Sequence, residues 1–202
     1  VFTWDASISQ SIAKGATMSG EGIADRGGNP VILSADGNIL AIAANFGEGT
    51  AGADSGYVRI FSWDGTAWVQ LGLNINGEAT NDRSGSSISL SEDGSIVAIG
   101  AAYNDGNGSD SGHVRVYKWS GTSWNKLGND IDGESAYDYS YFVSLSLDGE
   151  TLAIGAPLAK DGSGTATGHT RVVKWDGSDW VQLGSDIDGD AANDSSGWQV
   201  SL

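Results

Sequence analysis

The chain has 202 residues, a length that suits one domain with a buried core. Its 31 glycines, 2 prolines and lack of cysteine fit many short strands joined by tight turns and exclude a disulfide scaffold. A formal net charge of −16 repels phosphate backbones, and no apolar run approaches the roughly 20 residues of a membrane helix, so we expect neither nucleic acid binding nor membrane insertion by this segment.

A repeat with a 56-residue step dominates the sequence. The residues that recur at this step include Trp63, Trp119 and Trp175; Leu71, Leu127 and Leu183; and Gly56, Gly112 and Gly168. A fixed period of this kind indicates a propeller or a solenoid, because each unit buries its hydrophobic faces only against its neighbours. The length of the repeat and its four strand-like segments favour the propeller.

The strand-like segments follow one another in the same order in each copy. The first two are joined by Asp-Gly pairs at 36–37, 93–94 and 148–149, a strong signal for a hairpin. The second, SIVAIGAA at 95–102, is apolar on successive residues and predicts an inner strand buried on both faces. The third alternates and places Arg115 on the same face as Trp119, where the two side chains can make a cation–π contact.

We therefore predict an all-β chain of β-propeller blades, each of four antiparallel strands, with three complete repeats and partial blades at both ends. The predicted divisions are an irregular start at 1–29, repeats at about 30–85, 86–140 and 141–197, and a partial blade at 198–202. The opening VFTWD matches the end of IFSWD at 60–64, and the closing residues match the first strand of a further copy. We expect the chain to be part of a longer protein, or two chains to complete one propeller by self-association.

Two segments resemble the FG-GAP repeats that form the blades of integrin-α-type propellers. They are SGSSISLSEDGSIVAIGAA at 84–102 and FVSLSLDGETLAIGAP at 142–157, each followed by a strand of the HVRVYKW type. The resemblance implies an extracellular or cell-surface propeller that mediates adhesion or structural assembly through protein contacts. The family's calcium loop between the first two strands has no counterpart here, because that turn is only SEDGS or SLDGE. Its metal ligands therefore cannot be transferred to this sequence.

Acidic loops recur at two other places in each copy and are candidate Ca²⁺ sites, because Ca²⁺ takes about six to eight oxygen ligands. The candidate ligands are Asp105, Asn107 and Ser109 in the first loop, and Asp130, Asp132, Asp138, Asp186, Asp188 and Asp194 in the second. The alternative is that these side chains stabilise turns by bonding their own backbone, with Asp138 and Asp194 capping the turn before an inner strand. We expect Ca²⁺ to be the cofactor if the chain has one.

Catalysis has little support in the sequence. The two histidines, His113 and His169, occupy the same position of the same strand, where we expect a structural role. The sequence contains no nucleophile elbow, phosphate loop or zinc spacing, and its regular repeats lack the one irregular constellation that an active site would add. We therefore predict that the chain is not an enzyme, with a propeller-fold lyase or hydrolase as the remote alternative.

Tryptophan supplies the other candidate function, a carbohydrate-binding module. Six of the eight tryptophans form W-x₄-W pairs, which we expect to pack the blades together. Trp198 replaces a small residue of the repeat, and if exposed it could stack on a sugar ring. Asn107 and Asn193 begin N-x-S sequons and are candidate glycosylation sites.

Overall fold

The computed structural model describes residues 1–22 and 25–202, so two residues of the irregular start, 23 and 24, lie outside the described residues. The described residues form a two-stranded hairpin and three five-stranded sheets, which we call blades 1, 2 and 3. None of these residues belongs to a helix that could cross a bilayer.

The hairpin contains β1 (Phe2–Asp5) and β2 (Gln10–Ala13). Blade 1 contains β3 (Val31–Leu33), β4 (Ile39–Ala44), β5 (Tyr57–Trp63), β6 (Trp68–Gln70) and β7 (Ile75–Asn76). Blade 2 contains β8 (Ser84–Leu90), β9 (Ile96–Ala101), β10 (His113–Trp119), β11 (Trp124–Lys126) and β12 (Ile131–Asp132). Blade 3 contains β13 (Phe142–Leu145), β14 (Thr151–Ala156), β15 (His169–Trp175), β16 (Trp180–Gln182) and β17 (Ile187–Asp188).

The strand order is the same in all three blades. The first four strands pair antiparallel in sequence order, and the short fifth strand pairs back onto the third. The predicted antiparallel propeller blades are confirmed, and the structure adds the fifth strand. A strand of two residues, such as Ile131–Asp132, carries no periodicity by which the sequence could have indicated it.

The Asp-Gly pairs form the predicted hairpin turns between the first and second strands. In blade 1, Gly37 has a φ of 68°, a left-handed conformation that glycine adopts without steric cost. The Asp36 carboxylate accepts hydrogen bonds from the Ser34 hydroxyl at 2.6 Å and from the Asn38 backbone N–H at 2.9 Å. Equivalent bonds form at Asp93 and Asp148, so one turn design serves all three blades.

The second strand of each blade is the centre of the core, as predicted. In β9, Val97 and Ile99 belong to a cluster shared with blade 1, whereas Ile96 and Ala98 belong to one shared with blade 3. Successive side chains of a strand point to opposite faces, so one apolar strand fills the space on both sides of its blade.

Hydrogen bonds from tryptophan indoles join each blade to the unit before it. The Nε1–H of Trp124 donates to the carbonyl of Leu71 at 3.0 Å, and that of Trp180 donates to Leu127 at 2.9 Å. Trp68 donates in the same way to the carbonyl of Lys14 at 2.8 Å. The segment after hairpin β1–β2 therefore contacts blade 1 as the end of one blade contacts the next.

Arginines of the third strand also join neighbouring units. Their Nη2 atoms donate to backbone carbonyls of the preceding unit: Arg59 to Ser19 at 2.6 Å, Arg115 to Asn76 at 2.9 Å and Arg171 to Asp132 at 2.6 Å. The cation–π partner predicted for Arg115 was Trp119, but its guanidinium instead lies 5.7 Å from the ring centre of Tyr117. The hydrogen bond from Arg115 to the Asn76 carbonyl of blade 1 determines where this side chain points.

Candidate functional site

The long connections of the blades lie side by side and form a surface that we call the loop face. It comprises the connections between the second and third strands (45–56, 102–112 and 157–168) and those that follow the fifth strands (77–83, 133–141 and 189–195). Backbone hydrogen bonds link the two kinds of connection, as between the Tyr137 N–H and the Ser109 carbonyl at 2.8 Å. Side chains that are distant in sequence are thereby brought together.

Two groups of residues at this face could hold a metal ion. The blade-2 cluster contains Glu78, His113 and Asp130, and the blade-3 cluster contains Glu134, His169 and Asp186. In each cluster, one ligand atom from every residue lies within 4.8 Å of the others. The glutamate follows the fifth strand of the preceding blade, the histidine begins a third strand, and the aspartate precedes a fifth strand. Each cluster is therefore assembled where two blades meet.

The histidines of both clusters are buried, and their imidazole rings make no hydrogen bond to the described residues. His113 is 1% exposed and His169 is 2% exposed. Nδ1 of His169 lies 3.9 Å from Oδ2 of Asp186, and Nδ1 of His113 lies 3.9 Å from Oδ1 of Asp132, distances too long for hydrogen bonds. Both Nε2 atoms are also buried and have no partner among the described residues.

Burial decides the charge of His113. Burial first, and the neighbouring Arg115 charge second, lower the pKa of His113 to about 4. Its ring is therefore neutral near pH 7 and one nitrogen keeps its lone pair, which is the form that binds metal ions. Burial also raises the pKa of the adjacent Asp132, with the negative charge of Asp130 as a further cause.

The two clusters differ in the groups that neutralise their carboxylates. In the blade-2 cluster, Arg115 lies 3.0 Å from Glu78 and Lys126 lies 2.8 Å from Asp130. In the blade-3 cluster, Arg171 lies 3.7 Å from Glu134, and the Asp186 carboxylate accepts a hydrogen bond from the neutral amide of Gln182 at 2.7 Å. The blade-3 cluster thus keeps more of its negative charge.

The first predicted calcium loop is held by hydrogen bonds within the loop and to the next connection. The Asp105 carboxylate accepts the Asp110 N–H at 2.9 Å, and the Asn107 amide nitrogen donates to two carbonyls of the next connection. Ser109 is exposed. The Asp105 bond fits the turn-stabilising interpretation, whereas the Asn107 bonds join two connections. Ca²⁺ binding at these three residues stays a prediction.

The second predicted calcium set is divided between several roles. Asp138 and Asp194 accept backbone N–H groups of Ser135 and Ala191 at 2.7 and 2.8 Å, which is the capping arrangement. Burial raises the pKa of Asp138. Asp188 is exposed on β17.

Of the predicted set, Asp130 and Asp186 belong to the two clusters, and Asp132 lies beside His113. Neither glutamate was predicted as a ligand from the sequence, and both histidines were predicted to have a structural role. The signal that could have indicated them is the repeat itself: Glu78 and Glu134 are 56 residues apart, as are the two histidines.

The predicted ligand and glycosylation residues are at the surface. Trp198 is 62% exposed, and its ring centre lies 5.7 Å from that of Phe142. Asn107 and Asn193 are exposed, with the Asn107 amide nitrogen engaged as described above. Carbohydrate binding and glycosylation at these positions stay predictions.

Arginine and aromatic side chains of the loop face, together with Arg26 from the irregular start, form a continuous group that we call the aromatic row. It comprises Arg26, Phe46, Arg83, Tyr103 and Tyr139. The two guanidinium groups lie 4.0 and 4.4 Å from the centre of the Phe46 ring. Arg83 also lies 4.3 Å from the Tyr103 ring, which meets Tyr139 edge to face at 5.4 Å. The row joins three successive units of the fold.

Comparison with known families identifies the repeat. Residues 76–117 match the model of the FG-GAP repeat, from the end of blade 1 to the third strand of blade 2. The chain contains an FG-GAP repeat. This confirms, for residues 76–117, the family resemblance seen in the sequence. No curated protein matches it in overall sequence.

Solved structures share the fold at low sequence identity. A Bacteroides uniformis protein assigned as a 6-phosphogluconolactonase aligns with a TM-score of 0.52 and 15% identity over 81% of this chain and 41% of its own. Hydrazine synthase from Kuenenia stuttgartiensis aligns with a TM-score of 0.51 and 15% identity over 82% and 51%. A periplasmic gluconolactonase from Pseudomonas aeruginosa gives 0.47 and 14% over 95% and 64%. The chain spans about half the length of the first two structures, or less.

The prediction that the chain is not an enzyme is wrong as an inference from repeat regularity. The same fold occurs in a protein assigned as a 6-phosphogluconolactonase and in hydrazine synthase. Regular packing residues build the blades and leave the connections free to differ, and a shared fold hosts many chemistries. At 15% identity the likeness concerns the fold alone, so no activity is transferred to this chain.

Proposed function

We propose that this propeller acts at the cell surface or outside the cell as a binding protein in adhesion or assembly, and that the aromatic row contacts its protein partner. The observation that supports this is the row itself, because arginine and tyrosine are enriched among the residues that dominate binding energy at protein interfaces. The two guanidinium groups of the row favour a partner that is acidic at that contact, and a second copy of the chain, with its net charge of −16, is such a partner.

The row suits binding because its side chains are already held in place. Arg83 lies between two aromatic rings, and the Tyr139 hydroxyl donates a hydrogen bond to Asp110 at 3.2 Å. Phe46, Arg83, Tyr103 and Tyr139 are partly exposed and Arg26 is exposed. Side chains ordered before binding lose less conformational entropy when a partner arrives, which leaves more of the contact energy for affinity.

Clustering of beads coated with the full chain tests this proposal for a second copy as partner. We expect wild-type beads to cluster and beads with the double variant Arg83→Ala/Tyr103→Ala to stay dispersed. Tyr137→Ala is the control, because Tyr137 is 58% exposed and lies outside the row. Clustering that is equal for all three proteins, or absent for the wild type, would contradict the adhesive role of the row.

The same bead assay also tests the predicted Ca²⁺ dependence. If Ca²⁺ orders the loop of Asp105, Asn107 and Ser109, EDTA should reduce clustering and lower the melting temperature, and added Ca²⁺ should restore both. Asp105→Asn should then show little response to either treatment. A melting temperature that does not change with Ca²⁺ would remove this part of the proposal.

A carbohydrate ligand is the second candidate, favoured by the exposed ring of Trp198 on the neighbouring Phe142. Aromatic faces stack on the apolar faces of sugars. On a glycan array, we expect wild-type signals that Trp198→Ala abolishes and Trp198→Phe partly keeps. Signals that survive Trp198→Ala would place any glycan binding elsewhere.

A further inference from the structure

We propose that the blade-3 cluster binds a first-row transition metal ion of the Zn²⁺ class and that the blade-2 cluster is a weaker copy of the same site. Both clusters offer one imidazole nitrogen and two carboxylates, a donor set that Zn²⁺ accepts in proteins. Ca²⁺ takes oxygen ligands, so the buried nitrogen distinguishes these sites from the calcium loops predicted from the sequence.

The buried histidine is the independent reason to place an ion here. His169 is 2% exposed, and its Nδ1 faces the Asp186 carboxylate from 3.9 Å without a hydrogen bond. Buried polar groups normally have a partner, and an ion between the nitrogen and the carboxylates would supply one.

The spacing of the ligand atoms requires only a small adjustment. Ligands about 2 Å from a tetrahedral metal ion lie about 3.3 Å apart, whereas these atoms lie within 4.8 Å of one another. Glu134 is the residue that can close the difference, because its side chain is long and 45% exposed. Its partner Arg171, at 3.7 Å, is too distant for a close hydrogen-bonded pair.

The difference in charge explains why the two sites should have unequal affinity. Lys126 holds Asp130 at 2.8 Å and competes with a metal ion for that carboxylate. At the same place in blade 3, Gln182 is neutral and leaves the charge of Asp186 available. The blade-3 cluster should therefore bind the ion more tightly.

Blade 1 provides substitutions that the fold already accommodates. Tyr57 occupies the position of the histidine and Asn74 that of the aspartate. Tyr57 is buried and its hydroxyl donates to Asp25 at 2.7 Å, so an aromatic ring fits this position. His169→Tyr and Asp186→Asn therefore remove the ligands of the blade-3 cluster with side chains native to the repeat.

Zinc titration of the EDTA-treated full chain against a chromogenic chelator, near neutral pH, tests the proposal. We expect the wild type to bind two Zn²⁺ ions with unequal affinity. His169→Tyr/Asp186→Asn should lose the tighter ion and keep the weaker one. Lys126→Gln should tighten the weaker site by about fivefold, as expected for removing one unit charge at a partly exposed site.

Circular dichroism and thermal melting check that each variant is folded. The proposal is overturned if the folded variant His113→Tyr/His169→Tyr binds as much Zn²⁺ as the wild type, because the ions would then bind the acidic surface. It is also overturned if Ca²⁺ displaces both Zn²⁺ ions at equal concentration. The bead assay depends on neither result, so the metal sites and the aromatic row can fail separately.

Discussion

The aspartate of the Asp-Gly turn shows how one side chain fixes a local structure. Hydrogen bonds lower the pKa of Asp36 to about 2. The largest contribution comes from the Ser34 hydroxyl, and the next come from the N–H groups of Asn38. The carboxylate form is thus favoured by the folded turn. The pKa values of Asp93 and Asp148 are lowered as well, Asp93 mainly by the Ser95 N–H and Asp148 mainly by the Ser146 hydroxyl.

Asp36→Asn should make the free energy of unfolding less sensitive to acid. A folded-state pKa below the ordinary 3.8 means that the contribution is present above that pH and is lost as the pH falls toward about 2. Urea titrations at about pH 5 and about pH 2.5 should show a smaller loss of stability for Asp36→Asn than for the wild type. Asp190→Asn, at an exposed position outside the hairpin turns, is the control. Equal losses for all three proteins would contradict the role of the turn carboxylate.

At this scale, the grouping of the candidate metal ligands could not be predicted from the sequence. His113 and His169 were visible as repeat-equivalent residues, but a strand position gives no information about the groups that face it. Glu78 reaches His113 from the preceding blade, so their proximity depends on how two blades pack. Self-comparison aligns copies of the repeat and does not show contacts between them.

The strands were predictable because their signals are local. The apolar second strand, the alternating third strand and the Asp-Gly turn each carry a pattern of a few residues. The close approach of the second strand to the next blade was not predictable. A Cβ atom at Gly100 would overlap the carbonyl oxygen of Tyr141, and one at Gly155 would overlap that of Gly197. In blade 1 the second strand has Ala43, and the first strand of blade 2 has Gly85 opposite it.

Gly100→Ala should therefore destabilise the fold by steric overlap between two elements. The neighbouring group is backbone and cannot rotate away, so we expect a loss of about 1–3 kcal/mol in the free energy of unfolding. Gly162→Ala is the matched control, because a Cβ at Gly162 meets nothing within 4 Å. Urea denaturation of both variants measures the difference. If the two variants were equally stable, the second strand of blade 2 could move away from Tyr141 without a cost in stability.

At the scale of the whole molecule, the arrangement of blades follows from the repeat, whereas the bonds that couple them do not. The serines of the first strands alternate with apolar residues and look like solvent-facing positions in the sequence. In the structure, the Ser87 hydroxyl accepts the Val143 N–H at 3.1 Å and the Ser89 hydroxyl accepts the Leu145 N–H at 2.9 Å. The first strand of blade 3 is thereby bonded to the first strand of blade 2.

Ser87→Ala/Ser89→Ala should weaken this coupling between blades. Two backbone N–H groups of blade 3 would lose their acceptors, at a cost of about 1–3 kcal/mol for the pair. Amide hydrogen exchange should accelerate at residues 142–145, with little change in the sheet of blade 1, because each blade is stabilised mainly by its neighbours. Ser144→Ala is the control, since its hydroxyl accepts only the Leu202 N–H among the described contacts. If exchange at 142–145 were unchanged in the double variant, apolar packing alone would hold the two blades together.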